Sequence, residues 1–208
     1  MSTFTGTGFV LTPDGVIATN RHVIKDALYV NLTFNTGAIS GQAQILAQDN
    51  ETDLALLKIQ ARNLPAVELA DSDYVRPGQE ITVIGNPRRL QNTVSSGIIS
   101  QVRKQNNGIL WHQISAPISP SSSGSPVFNE DGQVISIVFS TYKGENNQNL
   151  NFAIPSNYAA DLLRQQGYLP TVFAPVAQAP ILSFWQRFKN HIAKSWQILV
   201  GFFHKNAA

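Results

Sequence analysis

Apolar residues in this 208-residue chain come in short runs broken by turn residues. Phe9-Val10-Leu11, Val16-Ile17-Ala18, Leu54-Ala55-Leu56-Leu57, Ile81-Thr82-Val83-Ile84 and Val134-Ile135-Ser136-Ile137-Val138 are continuous or alternating, and the last two are rich in β-branched residues. That is the pattern of strands buried on two faces or on one. Between the runs, Thr12-Pro13-Asp14-Gly15, Asn35-Thr36-Gly37, Gln105-Asn106-Asn107-Gly108 and Glu130-Asp131-Gly132 read as hairpin-type turns with Gly where positive φ is wanted. Regular punctuation of this kind predicts an all-β barrel or sandwich. Two helices are predicted near the C-terminus. The first has Ser156 as N-cap, Tyr158 to Gln166 as body and Gly167 as stop. The second spans 181–205, where Ile181, Trp185, Phe188, Ile192, Trp196, Leu199 and Phe203 recur at steps of three and four.

Composition narrows this picture. The hydrophobic fraction of 43% allows a substantial core, and the length suits one large all-β unit or two small ones. Cysteine is absent, so there is no disulfide framework and no thiolate metal site. The absence of cysteine does not fix a compartment. No basic stretch followed by an apolar one opens the chain, so no secretory signal is read at Met1. The chain holds 15 basic and 13 acidic residues, and four of the bases but none of the acids lie after residue 180. The preceding part is therefore slightly acidic, and no basic stripe with interleaved aromatics appears there, which argues against nucleic-acid binding. Arg187, Lys189, Lys194 and Lys205 give the 181–205 helix a basic face opposite Trp, Phe and Leu. Such a helix suits an anionic membrane surface; equally, it packs back on the barrel or on another subunit. Charge interrupts it too often for a membrane span.

The candidate chemistry begins at Ser119-Pro120-Ser121-Ser122-Ser123-Gly124-Ser125-Pro126. A Ser followed by Gly in a tight turn presents its hydroxyl to a cleft, and neighbouring backbone N–H groups can point the same way, as acyl transfer requires. A serine is a weak nucleophile at its own pKa and needs a base, which in turn needs an orienting carboxylate. His22 ends one apolar run, in Thr19-Asn20-Arg21-His22-Val23, and Asp53 opens another, in Asp53-Leu54-Ala55-Leu56-Leu57. Singly, His22 reads as a half-buried histidine, Asp53 as a turn acid and Gly97 as a strand bend. His112 reads as a structural residue on a strand. No metal-ligand cluster or Gly-rich phosphate loop is present, so no cofactor and no metal are expected.

Taken in order, these motifs resemble the HtrA/Deg-type serine proteases of the chymotrypsin fold. Gly6-Thr7-Gly8-Phe9-Val10 through His22 is similar to the family's segment ending in the catalytic His, and Asp53 to Ile59 to the one opening with the catalytic Asp. Ile84-Gly85-Asn86-Pro87 and Val94 to Ser100 resemble the start of the second barrel. Ser121 to Pro126 lies where the family has Gly-Asn-Ser-Gly-Gly-Pro, and Leu150 to Pro155 resembles the strand before the closing helix. The resemblance covers about residues 6–168.

It implies two six-stranded antiparallel barrels, the first over 1–75 and the second with its closing helix over 80–168, joined at Val75-Arg76-Pro77-Gly78. A Pro/Ala-rich linker, 170–180, and the 181–205 helix follow where the family continues into a PDZ domain. Family members carry a further strand before residue 6, so the expectation is either that the chain is a fragment or that the first barrel lacks an edge. The resemblance further implies a cleft between the barrels, with catalytic His22, Asp53 and Ser123 and an oxyanion hole of the Ser121 and Ser123 N–H groups. The substrate would be a polypeptide, cleaved after small-to-medium apolar side chains. The pocket residues implied are Pro117, Ile118, Val138, Phe139, Ser140, Phe152 and Ala153, none of them acidic. Homo-oligomers and a role in protein quality control are family habits. Ser121 and Ser125 depart from the family's Gly, and Ser121 must reach a conformation that a Cβ disfavours. The alternative to a working endopeptidase is therefore a weak or silent protease fold that binds peptides or partners.

Overall fold

The computed structural model describes residues 3–34, 39–85, 93–119, 121–141, 150–170 and 202–206. The expected turn at 35–37, the residues Asn86, Pro87 and Pro120, and the linker and tail from 171 to 201 lie outside the described residues. Six strands come first: β1 (Thr3–Phe4), β2 (Phe9–Val10), β3 (Val16–Asn20), β4 (Val30–Thr33), β5 (Ile39–Asp49) and β6 (Leu54–Lys58). Six more follow: β7 (Glu80–Gly85), β8 (Thr93–Lys104), β9 (Leu110–Ile114), β10 (Pro126–Phe128), β11 (Val134–Thr141) and β12 (Asn151–Pro155). A short helix α1 (Arg21–Ile24) follows β3, the helix α2 (Ser156–Gln165) follows β12, and a last strand β13 (Phe202–Asn206) returns from the C-terminus.

The second set closes into a six-stranded antiparallel barrel, in the order β10-β11-β12-β9-β8-β7. The first set forms a seven-stranded sheet, β1-β13-β4-β5-β6-β3-β2. This corrects the expectation of six strands in the first unit. The sheet's extra strand comes from the far end of the chain, because β4 and β1 leave a gap that β13 fills by pairing with both. It also corrects the end of the predicted 181–205 helix: residues 202–205 are strand. Spacing alone favoured a helix there, but backbone pairing to two neighbours decides the local conformation.

Two apolar cores hold the sheets. Every residue of β3 is buried, as its continuous apolar run requires for a strand packed on both faces. Phe9, Leu11, Leu54 and Leu57 share a core with Val134, Ile137 and Ile154 of the barrel and Leu163 of α2. Ile81, Val83, Ile99, Ile114, Val127, Ile135 and Val138 fill the barrel interior. Thus β11 sends Ile135 inward and Ile137 toward the first sheet, joining the two units through its two faces. The residues between the units are fixed as well: Ala70 N–H donates to Val134 O at 2.9 Å and Val134 N–H to Glu68 O at 2.8 Å.

The helix α2 ends as its sequence predicts. Gly167 has φ +81°, its N–H reaches Arg164 O and the Tyr168 N–H reaches Leu163 O, a Schellman closure. Its start differs. Pro155 occupies the cap position, and Ser156 is the first helical residue, its buried hydroxyl donating to Ala70 O at 2.8 Å. The long-range acceptor won over local capping.

Candidate active site

The pairing of β3 with β6 sets one half of the site. Asn20 lies opposite Leu54, so the next step along each chain brings Arg21 beside Asp53. Arg21 N–H donates to Asp53 O at 2.8 Å, and Asn20 Nδ2 reaches the same carbonyl at 3.2 Å. Asp53 takes φ +56°, a left-handed conformation that Asp tolerates better than most residues. That turn aims its carboxylate at the first turn of α1. Oδ1 accepts the His22 backbone N–H at 2.8 Å, and Oδ2 lies 2.5 Å from His22 Nδ1. One carboxylate therefore holds both the backbone and the ring of the same histidine. A carboxylate in its ionised form only accepts, so in this pairing Nδ1 is the ring nitrogen that donates, and Nε2 is the one turned away from Asp53. The pair is open to solvent on the imidazole side, with the His22 side chain 46% exposed.

The serine turn supplies the other half. It begins after Ser119, whose carbonyl accepts from Ser122 N–H at 3.0 Å, and leads into β10 at Pro126. Gly124 N–H donates to Val138 O, and Val138 N–H to Ser125 O, pinning the turn across to β11. Gly124 has φ +86°, and a Cβ there would run into the carbonyl of Thr7, so no other residue fits. Ser121 also has positive φ, +76°, although it carries a Cβ. Within the turn the N–H groups of Ser122, Gly124 and Ser125 are bonded, whereas among the described residues those of Ser121 and Ser123 find no acceptor. The Ser123 hydroxyl donates to Phe139 O at 3.5 Å, and among the described residues no hydrogen bond joins it to His22.

Thr7 ties the two halves together. Its N–H donates to Ser123 O and its Oγ1 to Ser121 O, each at 2.9 Å. Its own carbonyl accepts from Thr19 Oγ1 at 2.7 Å, three residues before His22. Thr7 and Thr19 are fully buried, so these bonds are shielded from competing water.

A model of the trypsin-like peptidase domain matches residues 6–137. The chain belongs to the trypsin-like peptidase family. Among its relatives, a putative serine protease HhoB of Synechocystis is 37% identical over 165 residues, 76% of this chain and 39% of that protein. A probable periplasmic DegP-like serine endoprotease of Halomonas elongata is 35% identical over 193 residues, 86% of this chain and 40% of that protein. The chain thus spans about two fifths of these curated relatives. Among solved structures, the HtrA-type protease AlgW with a decapeptide is 33% identical, with a TM-score of 0.72 over 77% of this chain and 51% of that one. A serine endoprotease from Yersinia pestis is 34% identical, with a TM-score of 0.69 over 77% of this chain and 57% of that one. The two-sheet architecture is the chymotrypsin-like fold of the HtrA-type trypsin-like peptidases.

In this trypsin-like peptidase β11 and β12 set Val138 opposite Ala153 and Ser140 opposite Phe152. Val138 and Ala153 are buried in the barrel core, and Ile118 packs on it. Phe139 and Phe152 are half-buried and meet Trp111, at 4.9 and 5.6 Å between ring centres. Ser140 lies on β11. Pro117 lines a separate cavity of about 420 Å³ with Ser119, Ser122, Gly85 and Ser95. His112 is buried, with Nδ1 2.5 Å from Ser136 Oγ, and desolvation pushes its pKa down to about 4. Thr7 is the residue sequence reasoning missed. Its signal was the pair of glycines around it, which marks a close backbone approach without saying to what. Among the described residues no group of acidic and histidine side chains is arranged to hold a metal. None of the described helices is long and apolar enough to cross a membrane.

Proposed function

We propose that this domain is a serine endopeptidase that cleaves polypeptides through His22, Asp53 and Ser123. The observation that carries the reading is the double grip of Asp53 on His22, which fixes the tautomer and orientation a general base needs. Ser123 Oγ attacks the peptide carbonyl while His22 Nε2 takes its proton. The tetrahedral oxyanion is received by the Ser121 and Ser123 N–H groups. Collapse of this intermediate expels the amine, which takes the proton from His22, and leaves an acyl ester on Ser123. Water, deprotonated by His22, then releases the acid and restores the serine. One oxyanion donor is worth on the order of a hundredfold in rate, so both N–H groups count. The half-buried Phe139, whose carbonyl accepts from the Ser123 hydroxyl, and Phe152, which meets Trp111 as Phe139 does, favour small-to-medium apolar side chains at the cleaved position, and no carboxylate among the expected pocket residues would select Lys or Arg. Degradation of unfolded chains in protein quality control fits such a broad preference.

A second reading is favoured by the Ser123 hydroxyl, which bonds Phe139 O rather than His22. In it the turn reorders only when a peptide binds, or the domain captures peptides without cleaving them. A fluorophosphonate probe and a fluorogenic casein assay separate the two. Labelling at Ser123, with casein cleavage abolished by Ser123→Ala, supports the endopeptidase. A folded chain that binds peptide but is neither labelled nor active supports capture.

A further inference from the structure

The strand β13 pairs with β1, which ends three residues before Thr7, and lies beside α1, which carries His22. Among the described residues, β1 joins the first sheet through β13 alone, in the order β1-β13-β4. Lys205 is in register with Val30 of β4 on one side and with Phe4 of β1 on the other, and Asn206 lies opposite Thr3. Three residues after Phe4 comes Thr7, whose N–H and hydroxyl hold the carbonyls of Ser123 and Ser121. On the other side β13 runs beside α1, the helix that carries His22, and α1 leads through five residues to β4. We propose that β13 is a positioning strand: by pairing with β1 and β4 at once, the chain's own C-terminal segment Phe202–Asn206 sets Thr7 against the serine turn and α1 against Asp53.

The physical reason lies in the backbone. A strand with neighbours on both sides has its N–H and C=O groups paired in two ladders. Without β13, β4 becomes an open edge and β1 has no partner, and a two-residue strand without a partner does not stay ordered in water. The segment from Phe4 to Thr7 then loses its anchor at one end, and the Thr7 bonds to the serine turn must hold it alone. A misplacement of about 1 Å in a reacting group costs about a hundredfold in rate. The proposal rests on the reading that His22, Asp53 and Ser123 do the chemistry, but its test is separable from that reading.

The test uses the full chain with Lys205→Pro, which removes the amide at the position in register with both neighbours, and Lys205→Ala, which keeps it. Two signals are read: the downfield proton resonance of the His22 ring N–H held by Asp53, and the rate of fluorophosphonate labelling at Ser123. Lys205→Pro is expected to lose the His22 resonance and to label about a hundredfold more slowly, with the amides of Val83 and Ile135 still protected. Lys205→Ala is expected to keep both signals. A Lys205→Pro chain with the His22 resonance and labelling rate of the unaltered one overturns the proposal. If Lys205→Pro fails to fold, amide exchange on the unaltered chain decides. Amides 203–205 exchanging in step with those of Val30 to Thr33 support it, and their exchange within seconds overturns it. If the unaltered chain is never labelled at Ser123, the endopeptidase reading fails, while the His22 resonance still tests the strand.

Discussion

Thr7 Oγ1 donates to the carbonyl of Ser121 across 114 residues of chain, at 2.9 Å, and Ser121 is held at φ +76°. The two facts belong together. A left-handed Ser costs on the order of 1–3 kcal/mol and persists only where its surroundings over-determine it. Thr7 is part of that surrounding, fully buried and bonded to both Ser121 and Ser123. Ser121→Gly is expected to raise stability by about 1 kcal/mol, after the glycine's extra chain entropy is deducted, and to leave labelling at Ser123 no slower. Thr7→Val is expected to leave the Ser121 carbonyl unpaired and slow labelling about tenfold, the equivalent of one lost buried hydrogen bond. Urea titrations and labelling rates on both variants check this. A Ser121→Gly chain less stable than the parent would show that the Ser side chain makes a favourable contact of its own.

Asp53→Asn separates orientation from charge. The carboxylate accepts twice from His22, once from the backbone and once from the ring. An amide has one acceptor oxygen, so one of the two bonds must be lost. If the amide nitrogen faces the ring, Nδ1 must become the acceptor and the proton moves to Nε2, where it blocks proton uptake from Ser123. Labelling and casein cleavage are expected to fall by on the order of 10⁴, the loss seen for such a tautomer reversal, with the thermal midpoint little changed. A fall of less than about tenfold would sink the triad assignment.

Much of this site was legible because its parts are local. His22 and Asp53 each stand at the end of an apolar run, and pairing those two runs brings them together by register alone. The glycine after Ser123 announced a tight turn, and the observed φ of +86° at Gly124 agrees. What the sequence hid depends on distant partners. Thr7 gains its role from a turn more than a hundred residues away. Phe203 fits a helical repeat with Trp196 and Leu199, yet Phe202–Asn206 pairs with β1 and β4 because those strands offer unfilled backbone groups. Ser156 has the composition of an N-cap, but a buried carbonyl, that of Ala70, claims its hydroxyl. In each case a tertiary acceptor outweighs a local preference of a few tenths of a kcal/mol to about 1 kcal/mol.

Gly124→Ala tests the steric join between the two units. The glycine has positive φ, and the space beside it is taken by the Thr7 carbonyl and the Thr19 hydroxyl. Both are also the atoms that bond to each other. A methyl group must displace that pair, so the cost adds strain to a lost buried bond, together at least about 2 kcal/mol. The variant is expected to melt lower and to lose Ser123 labelling. Ser125→Gly, one position on, is the contrast. Ser125 Oγ is buried without a hydrogen-bond partner among the described residues, so its removal is expected to stabilise the fold by about 1 kcal/mol.

His112 gives the fold an acid limit of its own. It is buried in β9 beside Ser136, away from the His22–Asp53 pair, and desolvation lowers its pKa to about 4 from an ordinary 6.5. The folded state therefore prefers the neutral ring, whereas the unfolded chain takes up a proton as pH falls through 6.5. Between pH 6.5 and 4 the unfolded state binds more protons, so stability falls as pH falls. The full contribution is present above pH 6.5 and is lost by pH 4, a span of about 3 kcal/mol at 1.36 kcal/mol per pH unit. Urea midpoints measured across this range should drop steeply for the unaltered chain. His112→Gln keeps a hydrogen-bonding group without a titrating one, so its midpoint should start lower but vary less over the same window. Parallel pH curves for the two chains would place the acid sensitivity elsewhere. Ser123 labelling, normalised to folded chain, should be the same in His112→Gln as in the unaltered chain, because His112 lies on β9 of the barrel whereas His22 lies on α1.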